Sequence, residues 1–165
     1  MVADPAQNGA LPLLLVDIDG VISLWGGPPL SATLGAYTLV DGVPHALSHV
    51  AANHLAGLAD VFELVWCSGW EDRANDHLPR LVGLGPFPFL RFGPPGEREH
   101  WKLGAIDAFA GPDRPLAWID DDLPPACHAW AAARPGPALL VETDPAHGAL
   151  ARDAEALRGW AQSLR

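Results

Sequence analysis

Four short stretches of the sequence carry side chains whose types and spacing are suited to chemistry. Carboxylates can attack an electrophile, move protons or bind a divalent cation. A hydroxyl group beside free backbone N–H groups can hold an anion, and an amino group can offset negative charge. Together, such groups are suited to reactions of a phosphate. The residues are Asp17 and Asp19, Ser68 and Gly69, Lys102, and Asp120 to Asp122.

Each stretch taken alone also has a purely structural interpretation. Asp19 and Gly20 could simply reverse the chain, and Ser68 could cap a helix by accepting a backbone N–H group. Lys102 could be an ordinary solvated lysine. Asp122 could also be a helix cap, but three adjacent carboxylates repel one another, and the other two then need a cation. Hard oxygen ligands of this kind suit Mg²⁺.

The candidate residues follow apolar runs that are typical of buried strands. We predict strands within residues 11–20, 61–68, 87–92, 115–122 and 138–143. We predict helices over residues 45–59, 70–82, 97–110 and 148–164, with one more opened by Pro124 and Pro125. In this prediction Lys102 lies on the helix over 97–110.

Apolar strands that alternate with helices predict an α/β fold: a three-layer, Rossmann-like parallel sheet with helices on both faces. We expect a single domain over residues 11–165 after a flexible lead at 1–10. A flap at 21–44, rich in Gly and Pro, should contain a hairpin with a turn at Asp41 and Gly42. Because ligands bind beyond the carboxyl ends of parallel strands, the polar residues that end these strands should meet at one sheet edge.

The order of these residues resembles the four motifs of the haloacid-dehalogenase-like (HAD) superfamily of phosphohydrolases. That pattern is a strand ending in Asp-x-Asp, a strand ending in Ser or Thr, a Lys on a helix, and a strand ending in paired acids. The resemblance covers Leu13 to Leu123, and the family's sheet would extend it through Val141. The only lysine of the chain, Lys102, falls where the family has one.

The resemblance implies a role for each matching residue. Asp17 would be the nucleophile that forms an aspartyl-phosphate, and Asp19 would protonate the leaving group and then activate water. Ser68 would hold the phosphoryl oxygens, and Lys102 would steady both the Asp17 carboxylate and the transferring group. Mg²⁺ would be held by the Asp17 side chain, the Asp19 carbonyl and one pair of acids, either Asp120 and Asp121 or Asp121 and Asp122. The end of the apolar run at Ile119 favours the first pair.

Substrate choice in HAD enzymes depends on inserted caps, and neither gap between these motifs is long enough for a full cap domain. We therefore expect an open site, gated at most by the flap. Gly69 would lie beside the phosphoryl group. Trp25 and Trp70 could stack on a base or sugar, or could simply close the flap onto the domain. Arg73 could bind a second phosphate or be a surface charge.

Composition excludes several other classes of function. Twenty acidic and ten basic residues among 165 give a net charge of −10, which disfavours general binding to a nucleic-acid backbone. The apolar runs are far too short to span a membrane, and the first residues show no secretory signal. Cys67 and Cys127 lack metal-binding spacing, so we expect two reduced thiols in a cytoplasmic protein with no membrane partner.

These observations predict a Mg²⁺-dependent phosphomonoester hydrolase that acts on a phosphorylated small molecule or a phosphorylated polymer end. One alternative is a phosphatase for nucleic-acid ends, because the stretch that begins at Trp70 and the short chain resemble small HAD domains grouped with bacterial RNA-repair proteins. The other alternative is a non-catalytic HAD-fold module that binds Mg²⁺ and phosphate.

Overall fold

Seven strands and five helices follow one another in the computed structural model, which describes residues 10–94 and 96–165. The predicted lead at 1–10 lies, apart from Ala10, outside the described residues. The strands are β1 (Leu13–Val16), β2 (Ser23–Leu24), β3 (Gly35–Val40), β4 (Val43–Ser48), β5 (Glu63–Trp66), β6 (Leu116–Asp120) and β7 (Ala138–Glu142). The helices are α1 (His49–Ala56), α2 (Arg73–Val82), α3 (Leu103–Ala110), α4 (Pro125–Ala133) and α5 (Ala151–Ser163).

Four of the strands form a parallel sheet in the order β5-β1-β6-β7, so the predicted α/β fold with a parallel sheet is confirmed. Every residue of β1 is fully buried. Its uninterrupted apolar run is explained by helices that cover both faces of the sheet, as is usual for parallel strands.

Alternate residues of the strands enter two separate apolar clusters, one on each face of the sheet. Leu14 and Val16 of β1 belong to the cluster that also contains residues of α1, α2 and α5. Leu13 and Leu15 belong to the cluster that contains residues of α3 and α4. The period of two along the strand therefore produces three layers, helix, sheet and helix, which is compatible with a Rossmann-like fold.

The sheet reverses its strand order between β1 and β6. After β1 the chain adds β5 on one side, and it then crosses to add β6 and β7 on the other side. The helical connections on either side of this point diverge, and they leave a crevice at the carboxyl ends of β1 and β6 where ligands of such sheets bind. Asp17 follows β1 directly and Asp120 ends β6, so both flank this crevice.

A second, antiparallel sheet in the order β2-β4-β3 contains the predicted hairpin. Strands β3 and β4 are joined by a two-residue turn in which Asp41 and Gly42 have positive φ values of 50° and 81°, which confirms the predicted turn. The predicted boundary of the flap at Pro44 is too early. Strand β4 continues to Ser48, whose Oγ accepts the Ala51 N–H and begins α1.

Two further predicted elements differ in the structure. Residues 87–92 make only one isolated bridge, between Phe89 and Trp66, because prolines at 86 and 88 lack the N–H groups that a regular ladder requires. The Asn75 side chain holds this segment by bonding to both the N–H and the C=O of Phe87. The helix predicted over 97–110 begins only at Leu103, and Lys102 occupies its N-cap position.

Within the described ranges, none of the helices combines the length and the apolar character needed to cross a bilayer. Cys67 and Cys127 both lie in the described part of the chain, where each is a buried free thiol.

Candidate functional site

A buried lysine joins the two central strands of the parallel sheet at their carboxyl ends. The Lys102 Nζ lies 3.0 Å from Asp17 Oδ1 and 2.6 Å from Asp120 Oδ2. The exposed fractions of these three side chains are 4%, 9% and 2%. In such surroundings each charged group is stabilised by its partners, because burial of an unpaired ion costs much free energy.

The second acidic stretch, Asp120 to Asp122, is held in place by neighbouring donors. Asp120 Oδ2 accepts the indole N–H of Trp118 at 3.0 Å, and its Oδ1 accepts the backbone N–H of Asp122 at 3.0 Å. Among the described residues, Asp17, Asp120 and Asp121 form the one group of carboxylates whose ligand oxygens all lie within 4.8 Å of one another. The geometry thus groups the first of the two predicted acid pairs with Asp17.

Gly20 brings the two acidic stretches close together. Its φ of +83° disfavours a side chain, and a Cβ at this position would lie 2.3 Å from Cγ of Asp121. The Gly20 carbonyl accepts the hydroxyl of Thr143, which follows β7, at 2.8 Å. The residue that follows β7 therefore holds the turn after β1, and the missing side chain leaves room for the Asp121 carboxylate.

The electrostatics of the cluster disfavour full ionisation of the acids. Burial, reinforced by the Asp120 charge, raises the pKa of Asp17 to about 7 even though Lys102 opposes the shift. Burial and then the charge of Asp120 raise the pKa of Asp121. Burial alone would lower the pKa of Lys102, but the two acids it contacts outweigh that effect and raise it. One ammonium group thus faces three carboxylates, and a further cation would be favoured.

Asp19 differs from Asp17 because its side chain is 54% exposed. Its Oδ2 accepts the indole N–H of Trp70 at 3.0 Å, and its Oδ1 lies 3.8 Å from Nδ1 of His45. The same imidazole nitrogen is 2.7 Å from the Ser23 hydroxyl. Asp19 is therefore oriented from one side by side chains and remains open to solvent on the other.

Ser68 and Gly69 follow β5, the strand on the other side of β1. Ser68 is buried, and its Oγ accepts the backbone N–H of Trp70 at 3.3 Å. The residue that precedes α2 is Asp72, so the alternative in which Ser68 caps this helix is wrong. Ser68 instead closes the tight turn that presents its hydroxyl to the same pocket as Asp17.

These residues line one open pocket of about 350 Å³. Its walls contain all the residues predicted to act directly on a phosphoryl group, and Trp25, which is 57% exposed, lies at its rim. Trp25 also borders an apolar groove of about 460 Å³ beneath the flap. The lining residues of the pocket are Asp17, Asp19, Trp25, Ser68, Gly69, His100, Trp101, Lys102, Asp120, Asp121 and Asp122.

Two of the predicted substrate contacts lie outside this pocket. Trp70 is 6% exposed, its N–H group is bonded to Asp19, and its ring meets His45 edge to face, so it supports Asp19 from behind. Arg73 is paired with Asp41 of the hairpin turn at 2.9 Å. Trp70 and Arg73 both border a neighbouring depression of about 340 Å³, which shares Asp19 and Gly69 with the acidic pocket.

Sequence reasoning missed His100 and Trp101 as parts of the pocket wall. Trp101 is 48% exposed and lies with its ring centre 5.2 Å from the Lys102 Nζ. The predicted helix over 97–110 would have turned residues 100 and 102 toward different sides. In the structure these residues form the turn before α3, so neighbours in sequence line the same pocket. The sequence feature that could have indicated them is their position directly before Lys102, the only lysine of the chain.

Asp122 was also considered as a helix cap, and the structure corrects this interpretation. The residue at the cap of α4 is Pro124, and the Asp122 side chain is 74% exposed at the edge of the pocket. Its backbone N–H bonds to Asp120 instead.

Neither a scan of protein-family models nor a search of curated proteins gives a match for this chain.

Proposed function

We propose that this protein is a Mg²⁺-dependent phosphomonoester hydrolase of the HAD type, which acts through an aspartyl-phosphate on Asp17. The observation that carries the proposal is the Lys102 ammonium group, buried and in contact with both Asp17 and Asp120 at the switch point of the sheet. A carboxylate that attacks an anionic phosphate needs positive charge close by. Lys102 supplies this charge, and because it already contacts Asp17, no side chain has to move during the reaction.

In the first step, an oxygen of the Asp17 carboxylate attacks phosphorus and the bond from phosphorus to the ester oxygen breaks. The leaving oxygen keeps the electron pair and takes a proton from Asp19, whose carboxyl lies in the same pocket. The Trp70 N–H bond fixes one oxygen of Asp19 and leaves the other for the leaving group. Ser68 and the backbone N–H of Gly69 would bind the phosphoryl oxygens.

In the second step, water attacks the phosphorus of the aspartyl-phosphate. Asp19 takes a proton from this water, the bond between phosphorus and the Asp17 oxygen breaks, and inorganic phosphate is released. Lys102 stabilises the Asp17 carboxylate as it leaves, because the two groups are already 3.0 Å apart.

The residues of the pocket fit a magnesium ion. Asp17, Asp120 and Asp121 would hold it with the backbone carbonyl of Asp19, since oxygen ligands are what Mg²⁺ prefers. Burial, and after it the charge of Asp120, raises the pKa values of Asp17 and Asp121, and a bound cation would favour the ionised forms of both acids. When bound, the ion would neutralise charge on the phosphoryl oxygens.

The exposed rings of Trp25 and Trp101 at the pocket support a substrate whose leaving group extends out of the site. The depression beside Arg73 shares Asp19 with the pocket, so it is where a leaving group protonated by Asp19 would lie. We propose a phosphorylated small molecule or a phosphorylated polymer end as the substrate. The two buried free thiols support a reducing, cytoplasmic environment.

The proposal is tested with the purified full-length chain and an aryl phosphate. We expect hydrolysis with Mg²⁺, loss of hydrolysis on addition of EDTA, and loss in the Asp17→Asn variant. Asp76→Asn is a matched control, because Asp76 is exposed on α2, and it should hydrolyse at the wild-type rate. Full activity in Asp17→Asn would contradict the mechanism.

A panel of sugar phosphates, nucleotides and end-phosphorylated oligonucleotides would then identify the substrate class. If the protein hydrolyses no member of the panel and the aryl phosphate is also stable, the proposed function is wrong. Beryllium fluoride gives an independent check, because it mimics a phosphoryl group on a carboxylate. With Mg²⁺ it should raise the melting temperature of the wild-type protein and leave that of Asp17→Asn unchanged.

A further inference from the structure

His100 is a buried histidine in the wall of the acidic pocket, two residues before Lys102. Its side chain is 4% exposed and lies edge to face against Trp118, with ring centres 5.5 Å apart. Its Nδ1 faces the backbone N–H of Lys102 at 3.3 Å. Its Nε2 makes no hydrogen bond within residues 10–94 and 96–165.

The contact with Lys102 determines which ring nitrogen carries the proton. Because Nδ1 accepts the backbone N–H, a neutral imidazole must carry its proton on Nε2. A buried donor without an acceptor is destabilising, so such groups generally have a partner in the working protein. The nearest carboxylate oxygen, Oδ2 of Asp122, is 3.7 Å away, which is too long for a hydrogen bond.

The rest of the pocket is rich in acceptors and short of free donors. Its walls contain five carboxylates, and the Lys102 ammonium group is already shared between Asp17 and Asp120. A phosphoryl group brings only acceptor oxygens to the site, so it needs donors from the protein. His100 lines this pocket, and the fold itself leaves its Nε2–H unused as a donor within the described residues.

We propose that His100 is a further catalytic residue, which donates its Nε2–H to a non-bridging oxygen of the phosphoryl group. This role rests on the proposed function. The hydrogen bond from Lys102 fixes the tautomer and the ring packs against Trp118, so the donor is oriented before the substrate binds. It acts beside Ser68 and Gly69, which line the same pocket.

Two variants separate this role from a structural one. Asn at position 100 places an amide acceptor near the site of Nδ1 and keeps the contact with Lys102, whereas Gln places an amide donor near the site of Nε2. For His100→Asn we expect kcat/KM with an aryl phosphate to fall by about 10- to 100-fold, the range for a hydrogen bond to a charged group. His100→Gln should keep more of the activity than His100→Asn. His128→Asn, a change at an exposed histidine of α4, is the matched control.

Binding of inorganic phosphate in the presence of Mg²⁺ gives a readout that does not depend on turnover. Its dissociation constant, measured by calorimetry, should rise in His100→Asn and change less in His100→Gln, while both proteins keep the wild-type melting temperature. The proposal is overturned if His100→Asn matches the wild type in kcat/KM and in phosphate affinity. It is also overturned if both variants lose activity in parallel with a loss of melting temperature.

Failure of the proposed function would look different. In that case the wild-type protein itself would hydrolyse no phosphomonoester, whatever residue stands at position 100. The role of His100 as a donor to a phosphate would then be decided by the calorimetric comparison of the wild type with His100→Asn.

Discussion

The two acidic stretches that end β1 and β6 have the same spacing but different surroundings. In each, the first acid is buried against Lys102, with exposed fractions of 9% for Asp17 and 2% for Asp120. In each, the acid at the third position points toward solvent, with exposed fractions of 54% for Asp19 and 74% for Asp122. The stretches differ in what holds that exposed acid. Asp19 accepts the indole N–H of Trp70 at 3.0 Å. The Asp122 carboxylate accepts no hydrogen bond from the described residues, and its Oδ2 lies 3.7 Å from Nε2 of His100.

This difference shows that spacing alone does not assign chemistry to an acid. Both stretches match the pattern Asp-x-Asp, and both follow a buried strand. Only in the first is the exposed acid fixed in direction, and fixed direction is what proton transfer requires. In the second, the buried acid and its neighbour Asp121 offer their oxygens to a cation, and Asp122 contributes its backbone N–H to hold Asp120.

The largest expected effect comes from exchanging the acid at the third position of each stretch. Asp19→Asn should lower kcat by about 10²- to 10⁴-fold, which is the usual contribution of a positioned general acid and base. Asp122→Asn should lower it by about fivefold at most, because an exposed charge contributes only about 1 kcal/mol. Steady-state kinetics with an aryl phosphate and Mg²⁺ measures both. Equal losses in the two variants would remove the distinction between the stretches.

Removal of the lysine should affect both stretches together. Lys102→Met leaves two buried carboxylates without their shared partner, and breaking a buried ion pair in this way costs about 3–5 kcal/mol of unfolding free energy. Urea unfolding in EDTA measures this loss. The double variant Lys102→Met with Asp17→Asn should recover part of it, since one of the stranded charges is gone. A single variant as stable as the wild type would contradict the geometry of the cluster.

The buried acid of the first stretch should make stability depend on pH in the metal-free protein. Because folding raises the pKa of Asp17 to about 7, the folded state favours its protonated form, and the free energy of unfolding falls as pH rises from about 4 to 7. The Asp17→Asn variant has no carboxyl at this position and does not lose stability in this way. The difference in free energy of unfolding between the variant and the wild type should therefore increase by on the order of 2–4 kcal/mol in favour of the variant across that interval, and stay constant above it. Thermal unfolding at pH 5 and pH 8 with EDTA tests this. A difference that is constant with pH would show that Asp17 is ionised throughout.

A smaller loss of kcat than in Asp19→Asn should come from removing the donor that orients Asp19. Trp70→Phe keeps a ring in the same packing but removes the N–H group that bonds to Asp19. We expect kcat to fall about tenfold, equivalent to the roughly 1.4 kcal/mol of one hydrogen bond to a charged group. Trp160→Phe on α5, away from the pocket, is the control and should keep wild-type kcat. Equal kcat in Trp70→Phe and the wild type would show that Asp19 needs no such support.

The parallel sheet and the convergence of the acids could be predicted from the sequence because both follow from strong local patterns. Short apolar runs such as Leu13 to Val16 that are bounded by turn residues are typical of strands covered on both faces, and strands in parallel present their carboxyl ends together. The hairpin turn was equally local, since Asp41 and Gly42 adopt the positive φ values that the turn needs.

The parts that could not be predicted depend on contacts between distant residues. Helical composition suggested a helix from residue 97, but the chain before Leu103 forms a turn that brings Lys102 to Asp17 and Asp120. The partner of the Trp70 N–H lies 51 residues away in the chain, so no local pattern indicates that this ring supports Asp19. His100 was missed for the same reason.

The close approach of Gly20 to Asp121 has a consequence for how this sequence can vary. The two residues lie about a hundred positions apart, but a single methyl group at position 20 would occupy the space of the Asp121 carboxylate. Any related chain with a side chain at position 20 would have to replace the acid at 121 with a smaller residue or rebuild the turn after β1. A substitution at position 20 should therefore occur only with a smaller residue at 121 or with a different turn after β1.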